Sequence, residues 1–282
     1  MSQYRVLILG AAYGLVPALR ILSAGHDVTV VCRHEEQRSL ARDGAKIIFS
    51  NRDPAKTRVI TAKAMQVPAE HGVLGLASPD VDLAGYDLVL LAMSEPHFAA
   101  PEIAKLMARI AQAQLPVVSV MNMQPPPFLA RVCEGVDMKK MAPAYAAWDV
   151  WQQFDPALMT AASPDAQAVR LDPNAPNTLT VTLGSNFKIA PFGKPEHQAM
   201  IAQIADDVSA YRPDGMPYTV RLMAHEMPHV PLAKWPMLIA GNCRCITPDG
   251  ALIPIGEAVH HDLAESEAIY EQVLALVKML CG

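Results

Sequence analysis

The chain has 282 residues, 51% of them hydrophobic and 18% charged, with a net charge of −5. That length supports a large core in one or two domains. The acidic balance, with no Lys/Arg cluster, excludes a nucleic-acid surface, which needs a concentrated basic face. Five cysteines lack regular spacing and only Cys243 and Cys245 lie close together, which is neither a disulfide nor a metal framework. The thiols therefore read as reduced and the protein as cytoplasmic. No apolar run reaches the roughly 18 residues of a membrane span, so no membrane partner is expected.

In chain order, YRVLILG (4–10) is a β-branched and Leu run ending at Gly, the pattern of a buried parallel strand. LVPALRILSAG (15–25) has helical spacing and closes on Gly25, a natural residue just past a helix end. Arg5 and the apolar run to Leu19 have the outline of a signal peptide. GAAYG interrupts that run, however, Arg20 follows it directly, and no small-x-small cleavage site follows. HDVTVVCR (26–33) is a second strand, EEQRSLARDG (35–44) a short helix, and AKIIFS (45–50) a third strand. YDLVLLAM (86–93) is a further buried strand, residues 100–114 form a helix, and LPVVSVMN (115–122) is the next strand. Strands alternating with helices over short loops predict a parallel sheet covered on both faces, and 4–33 has the order of a dinucleotide-binding βαβ unit.

The loop after the first strand, GAAYG (10–14), partly matches the G-x-G-x-x-G fingerprint. Gly10 supplies the tight turn. Ala11, Ala12, Tyr13 and Gly14 complete the loop, with Ala12 where the second Gly would stand and Gly14 one residue early. The following helix start offers N–H groups and a positive dipole end to a pyrophosphate. At the end of the second strand, where NAD-binding forms carry an acid, stands Arg33, which suits a 2′-phosphate by charge and bidentate bonding. The expected cofactor is NADP.

The second half differs. Residues 123–145 are rich in Pro and Met and read as a loop leading into a short helix. NTLTVTLGSNFKIAPFG (177–193) reads as one or two antiparallel strands near a turn at Gly184. Residues 197–211, 235–246 and 257–280 read as helical. The regular alternation ends between 155 and 195, so the expected division is a Rossmann-type domain over 1–175 and a mainly helical substrate and dimerisation domain over 176–282. The apolar content of 257–280 predicts a homodimer through this half.

His225-Glu226-Met227-Pro228-His229 spells the H-E-x-x-H of zinc hydrolases. That motif needs both histidines on one continuous helix, with the Glu beside the metal. Pro228 between them breaks such a helix at a cost of about 3 kcal/mol, and Pro231 follows. Glu257, His260, His261 and Asp262 read more simply as an exposed helix start than as further ligands. No metal is expected.

Four stretches together resemble the ketopantoate reductases and their relatives: the opening βαβ through Arg33, YDLVLLAM before the loop that passes the nicotinamide, VVSVMN with Asn122 at the family's Asn, and NTLTVTLGSNFKIAPFG. LAKWPMLIAGNCRC (232–245) falls where the family carries a Lys followed by Asn residues. The resemblance implies NADP-dependent reduction of a small 2-oxo acid to the 2-hydroxy acid. It makes Lys234 the proton donor, with Asn242 and Asn122 orienting it and the substrate. Met93, Ser94 and His97 after the fourth strand, with Asn122, would border the nicotinamide. Asn242, in an apolar stretch, is expected to be buried and partnered. The departures are a Ser94–Phe98 segment without Lys, Met123 in place of Gly, Leu238 at the first Asn position, and an end at Gly282 where the family continues to a Ser and a Glu. Two other readings stand beside this one: an opine- or imine-type dehydrogenase, and an NADP-binding sensor without turnover.

Overall fold

The computed structural model describes residues 3–51, 53–62, 72–133, 135, 137–212, 215 and 218–281; the side chains at 233, 234, 237, 277, 280 and 281 lie outside the description. Its strands are β1 (Arg5–Leu9), β2 (Asp27–Val31), β3 (Ala45–Phe49), β4 (Arg58–Ala62), β5 (Leu74–Ala77), β6 (Leu88–Leu91), β7 (Val117–Ser119), β8 (Met159–Ser163), β9 (Gln167–Val169), β10 (Thr178–Leu183), β11 (Phe187–Ile189) and β12 (Leu222–Ala224). Its helices are α1 (Leu15–Ser23), α2 (His34–Asp43), α3 (Pro101–Gln112), α4 (Pro126–Val132), α5 (Trp148–Trp151), α6 (Pro195–Ala210), α7 (Trp235–Ala240), α8 (Ile255–His260) and α9 (Leu263–Cys281).

An eight-stranded sheet runs β12-β11-β8-β7-β6-β1-β2-β5. The six strands from β5 to β8 are mutually parallel, β11 is antiparallel to β8, and β12 is parallel to β11. This is the expected α/β, Rossmann-type order. The first strand explains why. Val6 and Ile8 pack with Leu15 and Leu19 of α1 on one face, while Leu7 and Leu9 pack with Leu106, Met107 and Ile110 of α3 on the other. A strand covered on both faces has no polar alternation, and none is present in VLIL.

The third predicted strand goes elsewhere. The place beside β2 belongs to β5, whereas β3 joins a second sheet, β4-β3-β10-β9. There it pairs antiparallel with β4 and parallel with β10. Its burial alternates, with Ala45, Ile47 and Phe49 inside, as suits a strand with one covered face. NTLTVTLGSNFKIAPFG is likewise no hairpin. β10 lies in the smaller sheet and β11 in the larger, so the turn at Gly184 carries the chain from one sheet to the other. Strands therefore continue beyond residue 176, with α6 packed against β12 and α1.

Some of the Pro-rich stretch is helical. Pro126 and Pro127 open α4, where missing N–H groups cost nothing. After the last strand the chain is mainly helical, and α8 and α9 pack mainly on α7 and the turn that follows it. Among the described residues, no helix is long and apolar enough to cross a membrane.

Candidate cofactor and substrate cleft

A cleft of about 610 Å³ opens at the carboxyl ends of β1, β6 and β7. Its walls include Tyr13 from the loop after β1, Met93 to Pro96 after β6, Val120 to Met123 after β7, Pro164 and Ala166 to Val169 from β9 and its approach, and Asn242 after α7. Ligands of open parallel sheets bind in this place, because loops there part to opposite sides.

The Gly10–Gly14 loop is shaped by its first residue. Gly10 has φ +105°, and a Cβ there would lie 2.6 Å from Met93 Cγ and 3.0 Å from the Ala92 carbonyl oxygen. Only glycine lets the turn sit this close to the end of β6. Gly14 is as confined, since its Cβ would stand 2.1 Å from the Gly10 carbonyl oxygen. Gly14 starts α1 without a side-chain cap hydrogen bond, which leaves the helix's N-terminal N–H groups and dipole available to an anion. Ala11 is buried and Ala12 exposed. A pyrophosphate fits this cradle: a tight glycine turn, a small exposed residue and a helix start.

Tyr13 crosses the cleft. Its hydroxyl donates to the Ala166 carbonyl at 2.6 Å, and its ring meets Phe187 edge-on at 5.8 Å. Burial, and then the nearby Asp165 carboxylate, push its phenol above the usual range, so it stays a neutral donor. Opposite, Glu95 is 4% exposed yet fully engaged. Its carboxylate accepts from Ala146 N at 3.0 Å, Ala147 N at 2.9 Å and Trp151 Nε1 at 3.0 Å. Three donors hold the turn after β6 rigidly against α5, and Phe98 packs on Trp151 at 5.1 Å.

The expected site residues are distributed as follows. Tyr13, Met93, Ser94, Asn122 and Asn242 all line the cleft. Asn242, expected to be buried, is exposed on its wall, because α7 ends at Ala240 and the chain turns out beneath it. His97 lies on the turn after β6, is exposed and is not among the lining residues. Lys234 closes the short 3-10 turn Val230–Lys234 immediately ahead of α7, and its side chain lies outside the described residues. His225 and His229 share no helix: β12 ends at Ala224 and the 3-10 turn starts at Val230. Among the described residues no group of three or more His, Cys, Asp or Glu could hold a metal ion.

Arg33 ends the second strand segment, just beyond Val31, with its side chain 77% exposed. It bonds to Glu36, one turn into α2, through Nε at 3.3 Å. Glu36 also accepts from Arg170 at 3.3 Å, a residue 134 positions away at the end of β9. Burial pushes the Glu36 carboxyl up, but the hydrogen bonds and charge of Arg33, together with Arg170, outweigh it and hold the group below the usual range. The β8–β9 segment and Arg170 escaped sequence reasoning. Neither carries a motif, and their place depends on the pairing of β9 with β10.

No family model matches the chain, and no curated protein matches it. Solved structures do. A PanE/ApbA family ketopantoate reductase from Ralstonia eutropha aligns with a TM-score of 0.63 at 16% identity, over 97% of this chain and 74% of that one. The 2-dehydropantoate 2-reductase from Methylococcus capsulatus gives 0.57 at 14% identity, over 98% and 73%. D-mandelate dehydrogenase with NADH and anilino(oxo)acetate gives 0.54 at 17%, over 86% and 63%. The chain spans 63% to 66% of the length of some structures it matches and 73% to 74% of others. These likenesses establish a shared α/β fold.

Proposed function

We propose that the chain is an NADP-dependent oxidoreductase that reduces a small 2-oxo acid, ketopantoate-like in size and charge, to the 2-hydroxy acid. The observation that carries this reading is the single cleft in which Tyr13, Ser94, Asn122 and Asn242 meet at the carboxyl end of the parallel sheet. The reading is further supported by the fold shared with ketopantoate reductases and with a dehydrogenase holding NADH and an oxo acid derivative.

The loop 10–14 and the start of α1 would hold the pyrophosphate, Arg33 the 2′-phosphate, and the turn 93–97 with Asn122 the nicotinamide end. When bound, the dinucleotide supplies the hydride that reduces the carbonyl carbon. The chain's own residues do the rest. Asn122 and Asn242 orient the substrate by amide hydrogen bonds from two walls of the cleft. Lys234 gives its proton to the carbonyl oxygen, and its charge stabilises the alkoxide as it forms. Glu95, by fixing the turn after β6, keeps that wall in place.

The test is a panel of 2-oxo acids assayed by loss of NADPH absorbance, with and without amine co-substrates. Turnover without amine supports the reading. A requirement for amine indicates imine reduction, and no turnover on any acid refutes the enzymatic reading.

A further inference from the structure

Edge strand β9 links two corners of the proposed cofactor site. Gln167, Ala168 and Val169 line the cleft beside Tyr13, and the next residue, Arg170, reaches Glu36 at the far end of β2. Three residues of strand span about 10 Å, the scale of the step from a pyrophosphate to an adenosine ribose. In sheets of this kind the ribose lies at the end of the second strand, where Arg33 and Glu36 stand.

Two guanidiniums and two carboxylates meet at this corner, and both guanidiniums share one of the acids. Two guanidiniums, Arg33 and Arg170, face the one carboxylate of Glu36, each at 3.3 Å. Glu35, on the first turn of α2, adds an exposed negative charge beyond them. The two arginines differ. Arg33 is 77% exposed, but Arg170 is 27% exposed and its Nε–H is buried without a hydrogen-bond partner. A guanidinium has five donors in a rigid fork. Here one donor is unpaired, and among the described residues the carboxylate bound to Arg170 is Glu36, already shared with Arg33. Among the described residues the fork lacks the full set of acceptors it can take.

We propose that Arg170 is a second specificity-determining residue for the cofactor: Glu36 holds it in readiness, and it passes from that carboxylate to the 2′-phosphate of NADP. Arg33 approaches the phosphate from the sheet and Arg170 from β9, so the phosphate is gripped from both sides. Glu36 is displaced towards solvent and keeps the two cations from repelling each other while the site is empty of phosphate. The inference rests on the NADP reading proposed above and adds the element that would close over the adenosine end.

The experiment measures the dissociation constants of NADPH and NADH by cofactor fluorescence for wild type, Arg170→Met and Arg170→Lys. Wild type should prefer NADPH. Arg170→Met should weaken NADPH by roughly 10- to 100-fold, the loss of a charge-assisted hydrogen bond, with NADH changed less than about threefold. Arg170→Lys keeps the charge without the fork and should fall between. It carries the test if Arg170→Met does not fold. Equal weakening of both cofactors marks a structural role for Arg170 and overturns the inference, as does an unchanged preference in either variant. Wild type without any preference for NADPH overturns the NADP reading itself, and this inference with it.

Discussion

The Gly10→Ala substitution adds one methyl group at the junction of three strands. Gly10 N donates to Val31 O at 2.9 Å, and Ala92 N donates to Leu9 O at 2.9 Å, so β2 and β6 hold the turn from both sides. Two costs arise. An L side chain at φ +105° is strained by about 1–3 kcal/mol. The methyl would also lie 3.0 Å from the Ala92 oxygen, a backbone atom that cannot move alone, and 2.6 Å from Met93 Cγ, which can. Overpacking of this kind adds about 1–3 kcal/mol. The total, roughly 2–6 kcal/mol, is a large share of the 5–15 kcal/mol typical of a folded protein. Gly25 provides the control. Its φ is +92°, but nothing lies within 4 Å of a Cβ there, so Gly25→Ala carries strain alone. Denaturant unfolding of both variants at an unchanged m-value isolates the contact cost, and cofactor fluorescence shows whether the loop has moved. Gly10→Ala should be the less stable of the two and should lose NADPH affinity, while Gly25→Ala should bind as wild type. If the two variants lose equal stability and both bind NADPH normally, the close approach of loop 10–14 to β6 is not what shapes this site.

Arg33→Asp should weaken NADPH more than NADH; equal binding of the two by wild type would defeat the assignment of Arg33. Lys234→Ala should lower turnover by on the order of 10²–10³ with NADPH affinity nearly unchanged, and Asn242→Ala should cost less, as an orienting group. Near-normal turnover of Lys234→Ala on a verified substrate would remove Lys234 from the chemistry. His26 is buried on α1's flank with Nε2 facing Asp207 Oδ2 at 3.2 Å. Burial lowers its pKa, and this outweighs the pull of Asp207 upwards. The folded state thus favours the neutral ring. Its contribution is fully present above the unfolded value of about 6.5 and is lost as pH falls from there through the lower folded value. Denaturant midpoints between pH 8 and 5 should fall less steeply for His26→Gln than for wild type, and an identical slope would rule this out. Along α9, Leu263, Tyr270, Leu274 and Met279 are exposed. Sedimentation at micromolar concentration should show a dimer; a monomer would mean this face needs no cover from a second copy.

The opening βαβ unit was legible because its causes are local. VLIL is apolar at every position, as a strand covered on both faces must be, and Gly10 and Gly25 mark places where the chain takes positive φ. Likewise Pro228 and Pro231 predicted that His225 and His229 would share no helix. Tyr13, Met93, Ser94 and Asn122 could be nominated because each follows a strand that was readable, whereas Asn242 came from the family resemblance, inside a stretch that reads as helical over 235–246. Other features had no local cause. β3 alternates in burial much as many one-sided strands do, and nothing in AKIIF says that β4 and β10, rather than β2, will be its neighbours. Asn242 faces the cleft because α7 stops at Ala240 and the chain turns at Gly241, and the wall it meets there is built by residues far away in sequence. Arg170 meets Glu36 across 134 residues, and only the pairing of β9 with β10 brings them together. Residue periodicity records which face of an element is covered, whereas the choice of partner is a competition among distant strands that only the folded chain decides.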